Sequence, residues 1–191
     1  MKRPPGRPPR AEVPVAREDM VLAALDLLDR EAADALTMRA LAERLGINPM
    51  TIHYHFGGRD GLICAMSEAV YAQVKAPKDG SPIGRIGGLL KAYHAQVLRH
   101  PALTMLIFSR PAVFPQQAVR ITNEISALLL EVGLPDDRTL LWRDILVDFT
   151  HGSALATAMT ARDPDSAPQD DQGFTKALTE LLTGLKRASD R

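Results

Sequence analysis

The residues best equipped for chemistry lie close together. Met50, Thr51, His53, Tyr54 and His55 fall within one short segment, PMTIHYHF at 49–56. Hydroxyl, phenol and imidazole groups donate and accept hydrogen bonds, while the thioether and rings add apolar contact. On the outer surface of a short helix, that mixture suits the reading of base edges in a DNA major groove. Catalysis is a poorer account. The chain has no nucleotide-binding glycine loop, no G-x-S-x-G turn and no HExxH pair. The acidic pairs Asp136-Asp137 and Asp170-Asp171 stand at expected helix starts, where the helix dipole favours them. The chain therefore reads as a non-enzyme. His53 and His55 invite a metal, but positions i and i+2 of a helix point to different faces, and no Cys or carboxylate stands at ligand spacing. No metal or other cofactor is expected.

A reading face needs elements that brace it, and the flanking sequence supplies them. Thr37 can cap a helix in which Met38, Leu41, Ala42 and Leu45 share one side. Gly46 ends that helix, since a residue without a Cβ accepts the left-handed C′ conformation. Asn48 and Pro49 open the next, as N-cap and first helical residue. Ile47, Ile52 and Phe56 can lock the second helix onto the first. Upstream, 17–32 is an amphipathic helix with Val21, Ala24, Leu25 and Leu28 on one side. Downstream, a helix over 60–75 would turn Leu62, Met66, Ala69, Val70 and Val74 inward. Residues 76–84, APKDGSPIG, hold two prolines and two glycines and read as a linker between domains.

The segment 36–62 resembles the DNA-binding domain of the tetracycline-repressor (TetR) family of bacterial transcriptional regulators. The resemblance rests on LAERLGI, then TIHYHF, then Arg59 with Leu62 three residues on. One departure is His53, where the family usually has Tyr. The resemblance implies that Arg39 reaches a base edge, that Met50, Thr51, Tyr54 and His55 face the groove, that Thr37 and His53 contact the DNA backbone, and that Arg59 contacts phosphate. Phosphate contacts set register; base contacts set sequence.

Ahead of this domain, residues 1–14 form a basic, Pro-rich arm in which Lys2, Arg3, Arg7 and Arg10 meet no acidic residue before Glu12. Gly6-Arg7-Pro8 is similar to part of the AT-hook, although Pro5 stands where its first Arg would be. A stiffened arm can place Arg7 in a narrow minor groove at reduced entropic cost.

The rest of the 191-residue chain is helical by pattern, with helices near 83–99, 101–110, 114–132, 136–160 and 171–187 and a polar loop at 161–172. Pro101, Pro111, Gly133, Pro135 and Pro164 punctuate them. In the last helix Phe174, Ala177, Leu178, Leu181, Leu182 and Leu185 recur at threes and fours. The helix before it carries Leu141, Ile145 and Leu146, then small residues from Gly152. A single reading helix buries little DNA, and such modules commonly pair; the resemblance implies a homodimer through 136–160 and 171–187. It also implies a small-molecule effector, for which Tyr93, His94, Met105, Phe108, Trp142, Phe149 and His151 could line an apolar chamber with a few polar groups.

Composition agrees with a globular protein: 46% hydrophobic, 24% charged, formal net charge zero. Zero net charge argues against a general nucleic-acid coat but not against a local reader. The single cysteine, Cys64, fits a reducing compartment. The N-terminus lacks an apolar leader, and no apolar run approaches the ~18 residues of a membrane span. The expectation is an all-α cytoplasmic protein: a three-helix helix-turn-helix domain over 15–75, including the linking helix, and an effector-binding and dimerisation domain over 83–191. Its partners would be operator DNA, a second copy and a small effector. A rival class, a helical small-molecule-binding or scaffolding protein with a vestigial helix-turn-helix, fits poorly with Arg39, Asn48-Pro49, Tyr54 and Arg59 all being present. A regulator without a small ligand also remains open.

Overall fold

A computed structural model describes residues 15–31, 35–110, 113, 115–160 and 172–189. Among them the regular elements are all helices: α1 (Arg17–Glu31), α2 (Met38–Leu45), α3 (Pro49–Phe56), α4 (Arg59–Tyr71), α5 (Pro82–Arg99), α6 (Pro101–Phe108), α7 (Gln116–Glu131), α8 (Asp136–Thr160) and α9 (Gln172–Ser189). The basic arm with Arg7 lies outside the described residues, as does the polar loop apart from its last residue, Gln172.

The N-terminal helices pack as a small bundle in which α1 meets α2 and α4, and α3 bridges α2 and α4. Met20, Ala24 and Leu28 of α1, Leu41 of α2, Ile52 of α3, and Ile63 and Met66 of α4 are fully buried together. An eight-residue helix is marginal in isolation. Burying Ile52 and Phe56 supplies about 1.5–3 kcal/mol apiece and holds α3 in place.

The linking helix is shorter than the sequence suggests. A helix over 60–75 is expected, but α4 stops at Tyr71. Arg120 of α7 explains the stop: its guanidinium donates to the carbonyls of Tyr71 (3.2 Å) and Val74 (2.6 Å), taking acceptors the helix would otherwise keep. Pro77 also disfavours helix at the residue before it. Val74 is buried as expected, but Ala69 is exposed.

In the C-terminal part, α5 is the central element, packed on α8, α7 and α9. The α9 stripe divides: Phe174, Leu178 and Leu185 are buried, whereas Ala177, Leu181 and Leu182 are only half-buried. Gly87 permits the close approach of α5 to α9, since a Cβ there would lie 3.1 Å from Leu182 Cδ1. The outward face of α8 leaves Leu140, Leu141, Ile145 and Met159 exposed. No helix of the described residues is long and apolar enough to cross a membrane.

The two parts are tied by polar contacts. Asp60 at the start of α4 pairs with Arg110 (2.6 Å), and Asp29 of α1 pairs with His100 (2.8 Å). Glu68 accepts from the Gln117 amide at 3.2 Å, and Glu124 accepts from the Ala76 amide at 2.9 Å while also bonding Arg120.

Candidate nucleic-acid interface

Local chemistry sets each turn of the α2–α3 unit. Thr37 Oγ1 accepts from the Ala40 amide at 3.0 Å and starts α2. Gly46, with φ 66°, reverses the chain, and the Ile47 amide returns to the Ala42 carbonyl at 3.0 Å, closing the C-terminal cap. Asn48 Oδ1 then accepts from the Met50 amide at 2.8 Å, with Pro49 at the first helical position. At the far end Gly57, with φ 71°, ends α3. Gly61 lets α4 begin directly against it, for a Cβ at Gly61 would sit 1.8 Å from the Phe56 carbonyl oxygen.

Bracing of this kind leaves the opposite side of α3 bare. Tyr54 is 87% exposed and Met50 66%, and His53 and His55 are exposed beside them. The Tyr54 and His55 rings meet edge to face, 5.7 Å apart. Thr51 is half-buried, Arg39 and Thr37 are exposed, and Arg59 is half-buried at the first turn of α4. Of these eight residues six are exposed and two, Thr51 and Arg59, half-buried, so none is shut away from a groove. Exposed aromatic and thioether groups side by side on one helix make that face a candidate contact surface. Sequence reading missed Arg17. Its guanidinium carbon lies 4.8 Å from the centre of the Phe56 ring at the end of α3. No spacing rule links positions 39 residues apart.

The seven residues expected to line one chamber fall into separate groups. Tyr93 is buried, and its hydroxyl lies 2.5 Å from His151 Nε2. Phe108 packs edge-on against His151 (4.9 Å), and Tyr71 of α4 packs edge-on against Tyr93 (5.5 Å) while sharing a 3.0 Å hydrogen bond with Thr104. Burial, aided by the neighbouring Tyr71, pushes the Tyr93 phenol up, and burial pushes the His151 imidazole down against the opposing pull of Asp148. The phenol therefore stays protonated and can donate to a neutral imidazole.

A second group is a stack: Phe174 lies parallel to His94 at 3.8 Å and to Phe149 at 5.4 Å. Trp142 and Phe149 also line an open apolar groove of about 530 Å³ with Ala177, Glu180, Leu181 and Gly184, between α8 and α9. Met105 corrects the single-chamber expectation most directly. It is 53% exposed, because the short helix α6 turns Leu103 and Leu106 inward and has no depth left for a third apolar face. Phe108 is 55% exposed, covering His151 from outside.

Residues 21–66 match the sequence pattern of the bacterial regulatory proteins of the tetR family. An HTH-type transcriptional regulator of Saccharopolyspora erythraea is 26% identical over 180 residues, covering 93% of this chain and 73% of that protein. Two solved structures share the fold with a TM-score of 0.74. One is BioQ with its natural double-stranded DNA operator, 19% identical, covering 91% of this chain and 99% of that one. The other is the TetR family protein ActR of Streptomyces coelicolor in complex with actinorhodin, 23% identical, covering 94% and 100%.

Proposed function

The chain belongs to the tetR family of bacterial regulatory proteins and is a DNA-binding transcriptional regulator, and from that premise we propose that it is a homodimeric repressor released from its operator by a small molecule. The observation that carries the reading is the bare face of α3, Met50 and Tyr54 above all, on a helix braced by caps at both ends. Residues 15–75 form the DNA-binding domain and 83–191 the effector-binding and dimerisation domain. Tyr54, Met50, Thr51 and His55 enter the major groove with Arg39; Thr37, His53 and Arg59 hold the backbone.

The apolar outer face of α8 and the adjoining groove suit a second copy. In a two-fold pair, Leu141 and Ile145 of each chain meet their counterparts beside Trp142 and Leu181, and the two heads stand about 34–36 Å apart, one turn of DNA. Trp142 and Phe149 thereby belong to the dimer seam rather than to the effector. The effector is read by the group around Tyr93, His151 and Phe108, which touches Tyr71 on the helix leading to the head. A ligand there shifts the equilibrium only by its difference in affinity between the two head positions. That ActR is solved with actinorhodin and BioQ with its operator supports both partners as classes. The protein works in the cytoplasm, where its DNA is, and we assign it no catalysis.

The test is fluorescence anisotropy of the full chain with duplex from upstream of its own gene. Specific, salt-dependent binding is expected. Tyr54→Ala should weaken it at least tenfold with an unchanged melting temperature, because an 87% exposed ring contributes little to the fold. Equal binding by wild type and Tyr54→Ala would remove α3 from the groove.

A further inference from the structure

We propose that Arg17 is a DNA-phosphate contact, its guanidinium held over the Phe56 ring at the end of the reading helix. The proposal rests on the DNA-reading role of α3 and adds a residue outside the helix-turn-helix. Arg17 is the exposed first residue of α1. Phe56 is 8% exposed and otherwise packed into the core, so it forms a rigid platform. The guanidinium carbon sits 4.8 Å from the ring centre. A cation over an aromatic face is held by the ring quadrupole rather than by hydrogen bonds, so the guanidinium's N–H donors remain available for phosphate oxygens.

Six other arginines are engaged by carboxylates. Arg44 joins Arg30 on Asp26, Arg85 pairs with Glu131, Arg110 with Asp60, Arg120 with Glu124 and Arg143 with Asp144. No carboxylate of the described residues takes Arg17. Glu18 and Asp19 follow it, but they stand roughly 100° and 200° around the helix. A helix about 10–12 Å across fills a major groove about 12 Å wide, so a cation fixed beside its end meets the bordering phosphates rather than base edges. The His55 ring, which belongs to the groove-facing set, lies 6.3 Å from the Phe56 ring that holds Arg17. The ring also restricts the arginine before DNA arrives, which reduces the entropy lost on contact.

The experiment titrates full-length wild type, Arg17→Gln and Arg17→Lys against the upstream duplex and an unrelated duplex of equal length, across a salt series, with thermal melting alongside. One contact per subunit predicts that Gln lowers the log–log salt slope by about 1.8 for a dimer and weakens binding about 10- to 60-fold near 0.1 M salt. The loss should be similar on both duplexes, with melting unchanged. Lys should restore the slope but not the full affinity, since it lacks the planar fork. An unchanged slope for Gln overturns the proposal, as does a loss confined to the upstream duplex. A loss that tracks a lower melting temperature at constant slope makes Arg17 a structural residue. Wild type that binds no duplex at low salt overturns the DNA reading and this contact together.

Discussion

Gly61→Ala sets two physical effects against each other at the junction between the reading helix and α4. Helix propensity favours alanine over glycine by about 0.8–1.0 kcal/mol. Packing opposes it: the new Cβ would lie 1.8 Å from the Phe56 carbonyl oxygen and 3.0 Å from its carbon. An ordinary carbon–oxygen approach is about 3.3 Å or more, so the two backbones must separate by roughly 1.5 Å. The obstruction is main chain, so no rotamer change relieves it. Phe56 is anchored by its buried ring, and α4 by Leu62, Ile63 and Met66. Overpacking of this kind costs about 1–3 kcal/mol and sometimes more; with a backbone obstruction the upper end applies, leaving a net loss of about 2 kcal/mol. For a chain of this size that is a fall in melting temperature of about 4–8 °C. Thermal unfolding followed by circular dichroism measures it. Operator affinity should fall too, because the displaced end of α3 carries His55. A variant that melts at or above the wild-type temperature would refute the reasoning, since propensity would then have won.

Three further outcomes follow from the same structure. Arg120→Met removes the donors held by the Tyr71 and Val74 carbonyls and by Glu124; urea denaturation should show a loss of about 2–3 kcal/mol, each orphaned polar group adding to it. His151 has its folded-state value lowered by burial, so the unfolded chain binds more protons as pH falls below about 6.5. Stability present at pH 7 should therefore decline toward pH 5, and His151→Gln should flatten that decline in melts at the two pH values. Ile145→Glu puts a carboxylate on the apolar face of α8, where a 37% exposed side chain makes little difference to the monomer fold. Sedimentation velocity should report a dimer for wild type and a monomer for the variant, and a variant that stays dimeric would move the seam elsewhere.

What was legible in the sequence is what local chemistry decides. Thr37, Gly46, Asn48 and Pro49 state their caps in their own side chains and neighbours, and the structure has each cap as read. The proline-opened helices α5 and α6 begin within a residue of expectation for the same reason. The end of α4 was not legible, because Arg120, 46 residues beyond Val74, supplies the stop. Grouping of the candidate effector residues failed similarly. Periodicity places Met105 and Phe108 on a helix but cannot say which neighbour occupies the space above them, and α6 turned both outward.

The illegible contacts are concentrated where the two parts of the chain meet. Asp60 with Arg110, Asp29 with His100, Glu68 with the Gln117 amide and Arg120 on the α4 carbonyls each join residues 46 to 71 positions apart. Most are charged groups at partly exposed positions, where each ion pair contributes little by itself. Their weakness has a consequence for regulation. Apart from Arg120, the exposed ion pairs are worth about 0–1 kcal/mol apiece and can be exchanged for water as α4 moves, so under the proposed regulation a ligand differing in affinity by a few kcal/mol between two head positions would suffice. Tyr71 adds an aromatic tie, buried at the end of α4 against Tyr93 and Thr104. Under the proposed regulation, Tyr71 would convert a rearrangement around Tyr93 and His151 into displacement of the head, and the surrounding ion pairs would set how readily the head follows.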